Sequence, residues 1–154
     1  MKTILIILGI FLIANDALSC SCIEMTPEEA FEKASVVFIG KVIAKGDNAI
    51  EIEYENNGTY GTYVSLATKR IYLFKISKYF KGIQSHKYNN LPIAITTGVG
   101  GGDCGYDFVD GREYLVYAYK EGNKFITSIC SRTAEKNSAN EDISFLMSRT
   151  IDNK

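Results

Sequence analysis

Two of the four cysteines stand at positions 20 and 22 with only Ser21 between them, and the other two lie far downstream at 104 and 130. Few features constrain a fold more. On an extended segment alternate side chains point to opposite sides, so both sulfurs of Cys20-Ser21-Cys22 would face the body of the domain and Ser21 would face away. Bonding Cys20 to Cys22 would close a small strained ring, so each is expected to pair with a distant cysteine. Of the three connectivities open to four cysteines, Cys20–Cys104 with Cys22–Cys130 is favoured. Each bridge closes a long loop, which in the chain-entropy model constrains the unfolded state by roughly 4–5 kcal/mol. The expected result is a clamped N-terminal segment beside the loop from Gly98 to Cys104.

What precedes Cys20 gives the compartment. Met1-Lys2-Thr3 is a short positive start and Ile4 to Ile13 is an apolar run, broken by Asn15-Asp16. Ala17-Leu18-Ser19 then places small residues at −3 and −1 relative to Cys20, the pattern of a secretory signal peptide over residues 1–19. A membrane anchor needs about 20 apolar residues, more than this run supplies. A cysteine at the cleavage point also suits a cell-envelope lipoprotein, although that signal usually has Leu at −3. A lipid on Cys20 would leave three cysteines and strand one thiol. A free Cys20 is the expectation, and a membrane is a partner only if Cys20 is lipidated.

Removing the leader takes away Lys2 and Asp16 and leaves the net charge at −1. That balance gives no reason to expect nucleic acid as a partner. The remaining chain suits one domain with a real core, with no repeats. Asn57-Gly58-Thr59 is a glycosylation sequon, meaningful in a eukaryotic host.

Thr26-Pro27-Glu28-Glu29 signals a helix start: Thr26 caps, Pro27 suits the first position and Glu29 completes a capping box. A helix over Pro27 to Lys33 would bury Ala30 and Phe31. Strands are expected over 35–44, with Gly40 a bend or bulge, and over 70–80, stopped by Lys81-Gly82. Residues 50–54 and 62–66 read as arms of a hairpin turning at Asn56-Asn57-Gly58, within a less regular stretch. Further strands are expected at 92–97, 113–119 and 125–130, the last two joined through Glu121-Gly122-Asn123. A closing helix near Glu141 to Arg149 has Asn140 as its cap. Five main strands with helices only at the ends describe a small antiparallel barrel or sandwich, its ten tyrosines and eight phenylalanines mostly core and cross-strand pairs.

Several chemistries find no support. His86 is the single histidine, in a polar loop without ligands at metal spacing, and no His-Glu-x-x-His helix is present. Gly98 to Gly105 is glycine-rich but lacks the Gly-Lys-Ser/Thr of a phosphate loop, and is read instead as flexible chain that lets two segments approach closely. Cys-x-Cys with two isolated partners fits a structural zinc site poorly. Nothing basic flanks Cys20 or Cys22 to make a reactive thiolate. No enzyme activity, cofactor or intrinsic metal is expected.

Cys20-Ser21-Cys22, Pro27, Ala30-Phe31 and Ser35-Val36-Val37 resemble the start of the tissue inhibitors of metalloproteinases. Phe80-Lys81-Gly82, Cys104-Gly105, Gly111-Arg112-Glu113-Tyr114-Leu115 and Ile126-Thr127-Ser128-Ile129-Cys130 continue the resemblance in order and spacing, over residues 20–133. It implies a mainly β fold, the five-stranded Greek-key OB-fold barrel called netrin-like, with residues 134–154 as a helical extension. It also implies a secreted, monomeric inhibitor of zinc metalloproteases. Cys20 would chelate the target's zinc through its free α-amine and carbonyl. Ser21 would enter the protease pocket, and Cys22, Ile23, Val99, Gly100, Gly101, Gly102 and Asp103 would add contacts. The alternative is a netrin-like binding module, extracellular or lipid-anchored, without protease inhibition. Glu32 stands where the family has a cysteine.

Overall fold

The structure, a computed structural model, describes residues 20–56, 59–82, 92–100 and 102–152. The leader over 1–19, Asn57, His86 and Gly101 lie outside the described residues. Helix α1 (Pro27–Lys33) is followed by strands β1 (Val36–Asn56), β2 (Thr59–Lys81), β3 (Ile93–Thr97), β4 (Glu113–Glu121), β5 (Lys124–Ile126) and β6 (Ala134–Glu135). A 3-10 turn at Lys136–Ser138 leads into helix α2 (Asn140–Asp152). The strands follow the order β1-β2-β3-β5-β4, and β1 also pairs with β4, which closes a five-stranded barrel. Among the described residues, only β3–β5 is a parallel pair. This is the expected mainly β, OB-fold-like architecture.

Alternation along β1 and β4 divides the core in two. Val36, Phe38, Val42, Tyr114, Val116 and Ala118 face inward and meet Tyr72, Phe74, Ile95 and Phe108 in the barrel interior. Their neighbours Val37, Ile39, Leu115 and Tyr117 face outward, under Ala30, Ala34, Ala139 and Leu146 of the helical side. Both faces of these strands are buried, so they read in the sequence as continuous apolar runs rather than as an alternation. Phe108 packs edge-on to Tyr72, Phe74 and Tyr114, with centroids 4.9–5.0 Å apart, the arrangement that aromatic quadrupoles favour.

Gly40 sits at the bulge expected of it. The β1–β2 register shifts between Ile39 and Gly40, and a Cβ there would press on the Phe38 ring at 2.9 Å and Lys75 O at 3.1 Å. The bend lets the strand curl into a closed barrel.

α1 begins as the residues predict: Thr26 accepts from the Glu29 N–H, Glu29 accepts from the Thr26 N–H, and Pro27 opens the helix. Its end is held by Lys81 Nζ, which donates to Phe31 O at 2.7 Å and Glu32 O at 2.9 Å. Arg149 of α2 ion-pairs with Glu28 and Glu32 and stacks over Phe31 and Phe145. An ion pair thus links α1 to α2 from the position where the resemblance places a cysteine.

Three expectations need correction. Residues 50–54 and 62–66 pair as the expected hairpin arms, but the stretch 45–69 is not the less regular one expected: β1 and β2 run as long strands out to Asn56↔Thr59, and within this stretch the register shifts once, between Asn48 and Ile50. The strand expected over 125–130 stops at Ile126. There the hydroxyls of Thr127, Ser131 and Thr133 hydrogen-bond one another and the Tyr117 backbone, and such local bonds compete with a ladder. The cap of α2 is Ala139, whose carbonyl accepts from Ile143 N–H at 2.9 Å, and Asn140 lies inside the helix.

Because Leu146 is 1% exposed within the helical-side core, Leu146→Ala should lower unfolding free energy by about 2–5 kcal/mol. Met147→Ala, at a partly exposed neighbouring position, should change it by about 0.5 kcal/mol or less. Urea denaturation of both variants checks whether α2 belongs to the cooperative unit.

Candidate functional site

Residues 20–26 run into α1 without helix or strand of their own. Two disulfides attach this segment to the barrel: Cys20–Cys104, with Cα atoms 5.6 Å apart, and Cys22–Cys130, with Cα atoms 5.1 Å apart. Both spans lie in the usual range for the bond, and both pairings are those favoured from the sequence. Cys20 is half-buried, Ser21 and Cys22 are exposed, and Ile23 is 87% exposed. The segment is therefore anchored covalently yet presents its outer side to solvent.

The neighbouring loop is organised by a carboxylate. Asp103 accepts backbone N–H bonds from Val99 at 2.8 Å, Gly100 at 2.9 Å and Gly105 at 3.0 Å. Gly98 and Gly105 make this wrapping feasible, since a Cβ on Gly98 would overlap the Asp103 carboxylate and one on Gly105 would overlap the Gly98 carbonyl. Glycine content alone reads as flexibility, whereas two of these glycines serve close approach around a fixed anion. Burial works to raise the Asp103 pKa, but the three N–H bonds and the charge of Lys69 outweigh it and hold the carboxyl below its ordinary value.

Three strips of chain are brought together here. Cys20 Sγ lies 3.8 Å from Gly102 O, and Ile129 N–H donates to Cys104 O at 3.0 Å, joining the Asp103 loop to the turn that carries Cys130. Ile129 is 46% exposed and lines the same cleft as the more open Ile23. Of the residues singled out in the sequence, Cys20, Ser21, Cys22, Ile23, Val99, Gly100, Gly102 and Asp103 occupy these strips or the loop bridged to them. A cleft of ≈ 600 Å³ runs below the segment, lined by Cys22, Ile23, Met25, Ile129 and Arg132 among others.

The sequence reading misses a polar clasp behind this cleft. Arg132 donates through Nε and Nη2 to the two oxygens of Asp142 at 2.9 and 2.7 Å, and through Nη2 to Glu141 at 2.8 Å. Its Nη1 donates to Met25 O at 2.6 Å. Asp142 is buried and also accepts from Tyr117 Oη at 2.8 Å. Burial and then the Asp142 bond push the Tyr117 phenol far above its ordinary pKa, so it stays a neutral donor. No motif announces these residues, because an acid in the first turn of a helix reads as a partner for the helix dipole. Arg132 does carry one structural signal, a left-handed φ of 61°.

Among the described residues, no group of three or more His, Cys, Asp or Glu could hold a metal ion. What the arrangement offers is an exposed edge anchored by two disulfides.

Residues 18–141 match the sequence model of the family described as tissue inhibitor of metalloproteinase. No curated protein matches the chain.

Asp103 generates a pH prediction. Its folded pKa is depressed, so the stabilisation it brings is present above the unfolded value of about 3.9 and is lost as pH falls through the folded value. Asp103→Asn should lower the melting temperature at pH 7 and narrow the difference from wild type on acidification below about pH 4. Thermal melts across pH 2–7, roughly the carboxylate range, check this; parallel curves for the two proteins would contradict it.

Proposed function

Because this chain belongs to the tissue inhibitor of metalloproteinase family, whose members are inhibitors and not enzymes, we propose that it is a secreted inhibitor of zinc metalloproteases acting through its own N-terminus. Release of residues 1–19 would expose the α-amine of Cys20. The family is typically secreted. Among the described residues, no helix is long and apolar enough to cross a membrane.

A catalytic zinc keeps three protein ligands and leaves one position for water or substrate. In this reading the Cys20 amine nitrogen and carbonyl oxygen take that position and displace the water. Ser21 enters the pocket beyond the scissile bond. Cys22, Ile23 and the 99–103 loop extend the contact, and the protein acts as a monomer. The observation that carries the reading is the double anchoring of 20–22 with Ser21 exposed between the bridges. A chelator held in place before it meets its target avoids much of the ordering entropy that association otherwise costs.

The amine sets the conditions. Its ordinary pKa is about 7.7–8.0, and only the neutral form binds a metal. Below that value the competent fraction falls about tenfold per pH unit, so inhibition should weaken on that slope between about pH 7 and pH 5.5. The protease's own pH dependence is measured in parallel and divided out.

Blocking the amine tests the mechanism directly. One residue added before Cys20, or acetylation of its amine, should abolish inhibition while the melting temperature and both disulfides stay as in the native form. Ser21→Gly should change potency and selectivity across a protease panel with little change in melting temperature. An extended or acetylated form that inhibits as well as the native one would rule chelation out. It would leave the netrin-like binding module as the account of the exposed edge.

A further inference from the structure

The stretch between the Cys22 bridge and the cap of α1 has few hydrogen bonds, and the shortest of them comes from Arg132. Ile23 is 87% exposed, and Glu24 is exposed too. Among the described residues neither has a hydrogen bond or an ion pair. Met25 receives two contacts: Lys33 Nζ at 3.7 Å from its sulfur, and Arg132 Nη1 at 2.6 Å from its carbonyl oxygen.

We propose that Arg132 is a positioning residue for the exposed edge, fixing the course of residues 23–25 through the Met25 carbonyl. Its consequence for inhibition rests on the reading given above; the geometry does not. The chain of support starts in the barrel wall. Tyr117 of β4 donates to Asp142, Asp142 receives Nε and Nη2 of Arg132, and Nη1 is thereby turned toward Met25. A planar guanidinium can hold a carboxylate with one edge and a carbonyl with another at the same time, which an ammonium on a flexible stem does not do. The left-handed backbone at Arg132 is a conformation that L-residues other than Gly, Asn and Asp rarely adopt. An Arg there indicates that the side chain, and not backbone ease, decides the residue.

A role in global stability alone makes a different forecast, and Arg149 supplies the comparison. That residue joins α1 to α2 through Glu28 and Glu32, whereas the Met25 carbonyl is held by Arg132. Arg132→Lys keeps a cation beside Asp142 but gives up the fork. Arg132→Gly combined with Asp142→Asn relieves the left-handed backbone and leaves no buried charge unpaired. Arg149→Ala is the control.

The experiment measures backbone NMR order parameters at Ile23, Glu24 and Met25 in the full mature chain, with both disulfides verified by mass. Positioning predicts values of about 0.85, the rigid-backbone level, in the wild type, a fall below about 0.6 in Arg132→Lys and in the double variant, and no change in Arg149→Ala. Equal effects from the Arg132 and Arg149 variants, or none from Arg132→Lys and the double variant, would overturn it. Inhibition of a metalloprotease panel is read alongside, where the Arg132 variants should lose about tenfold in potency and Arg149→Ala should not. If the wild type inhibits nothing, the inhibitor reading fails and the order parameters still decide the role of Arg132. If the wild type inhibits and the order parameters respond while potency does not, the proposal's functional half fails.

Discussion

The bridges at Cys20 and Cys22 depend on a barrel that delivers residues 104 and 130 to one place. β3 and β5 lie side by side in parallel. Thr127 N–H donates to Thr96 O at 2.9 Å and Ile129 N–H donates to Cys104 O. These bonds bring Cys104 beside the residue that precedes Cys130. The N-terminal segment then spans Cys104 and Cys130 with a single residue between its own cysteines. Without closure of the barrel, sequence separations of 84 and 108 would make two such bridges a heavy entropic demand. With it, they lock an edge that the rest of the fold has already framed.

Covalent and polar restraint divide the work along that edge. Disulfides fix residues 20 and 22, Thr26 and Glu29 fix the entry to α1, and the Arg132 clasp spans the interval between them. The clasp is also what makes the C-terminal helix part of the site. Asp142 belongs to α2, so a helix remote in sequence from the N-terminus supports its geometry. Asp142 is buried while Arg132 is half-buried, so losing Arg132 would leave a buried carboxylate without its cation, which sets the clasp apart from the surface ion pair Arg112–Glu135.

Much of this was legible in the residues. The barrel follows from strand spacing, the α1 start from Thr26-Pro27-Glu28-Glu29, and the bridges from the order of the four cysteines. Where the reading fell short, the deciding interactions are tertiary. Ile126 to Cys130 has good strand composition, and buried hydroxyls from Ser131 and Thr133 end the strand by a network no local pattern encodes. The glycine loop hides its organiser because an Asp beside glycines looks like any turn residue until its carboxylate is seen to collect three N–H groups. Arg132 and Asp142 are ten residues apart in polar sequence, and their meeting depends on how α2 docks.

The central claim is that the Cys20 terminus occupies the metal position of a protease. X-ray absorption at the zinc edge of the protease, free and saturated with the mature protein, tests it most directly. The account predicts that the zinc-bound water is replaced by one nitrogen and one oxygen donor from the inhibitor. A zinc shell identical in the free and saturated protease, with the water retained, would contradict it.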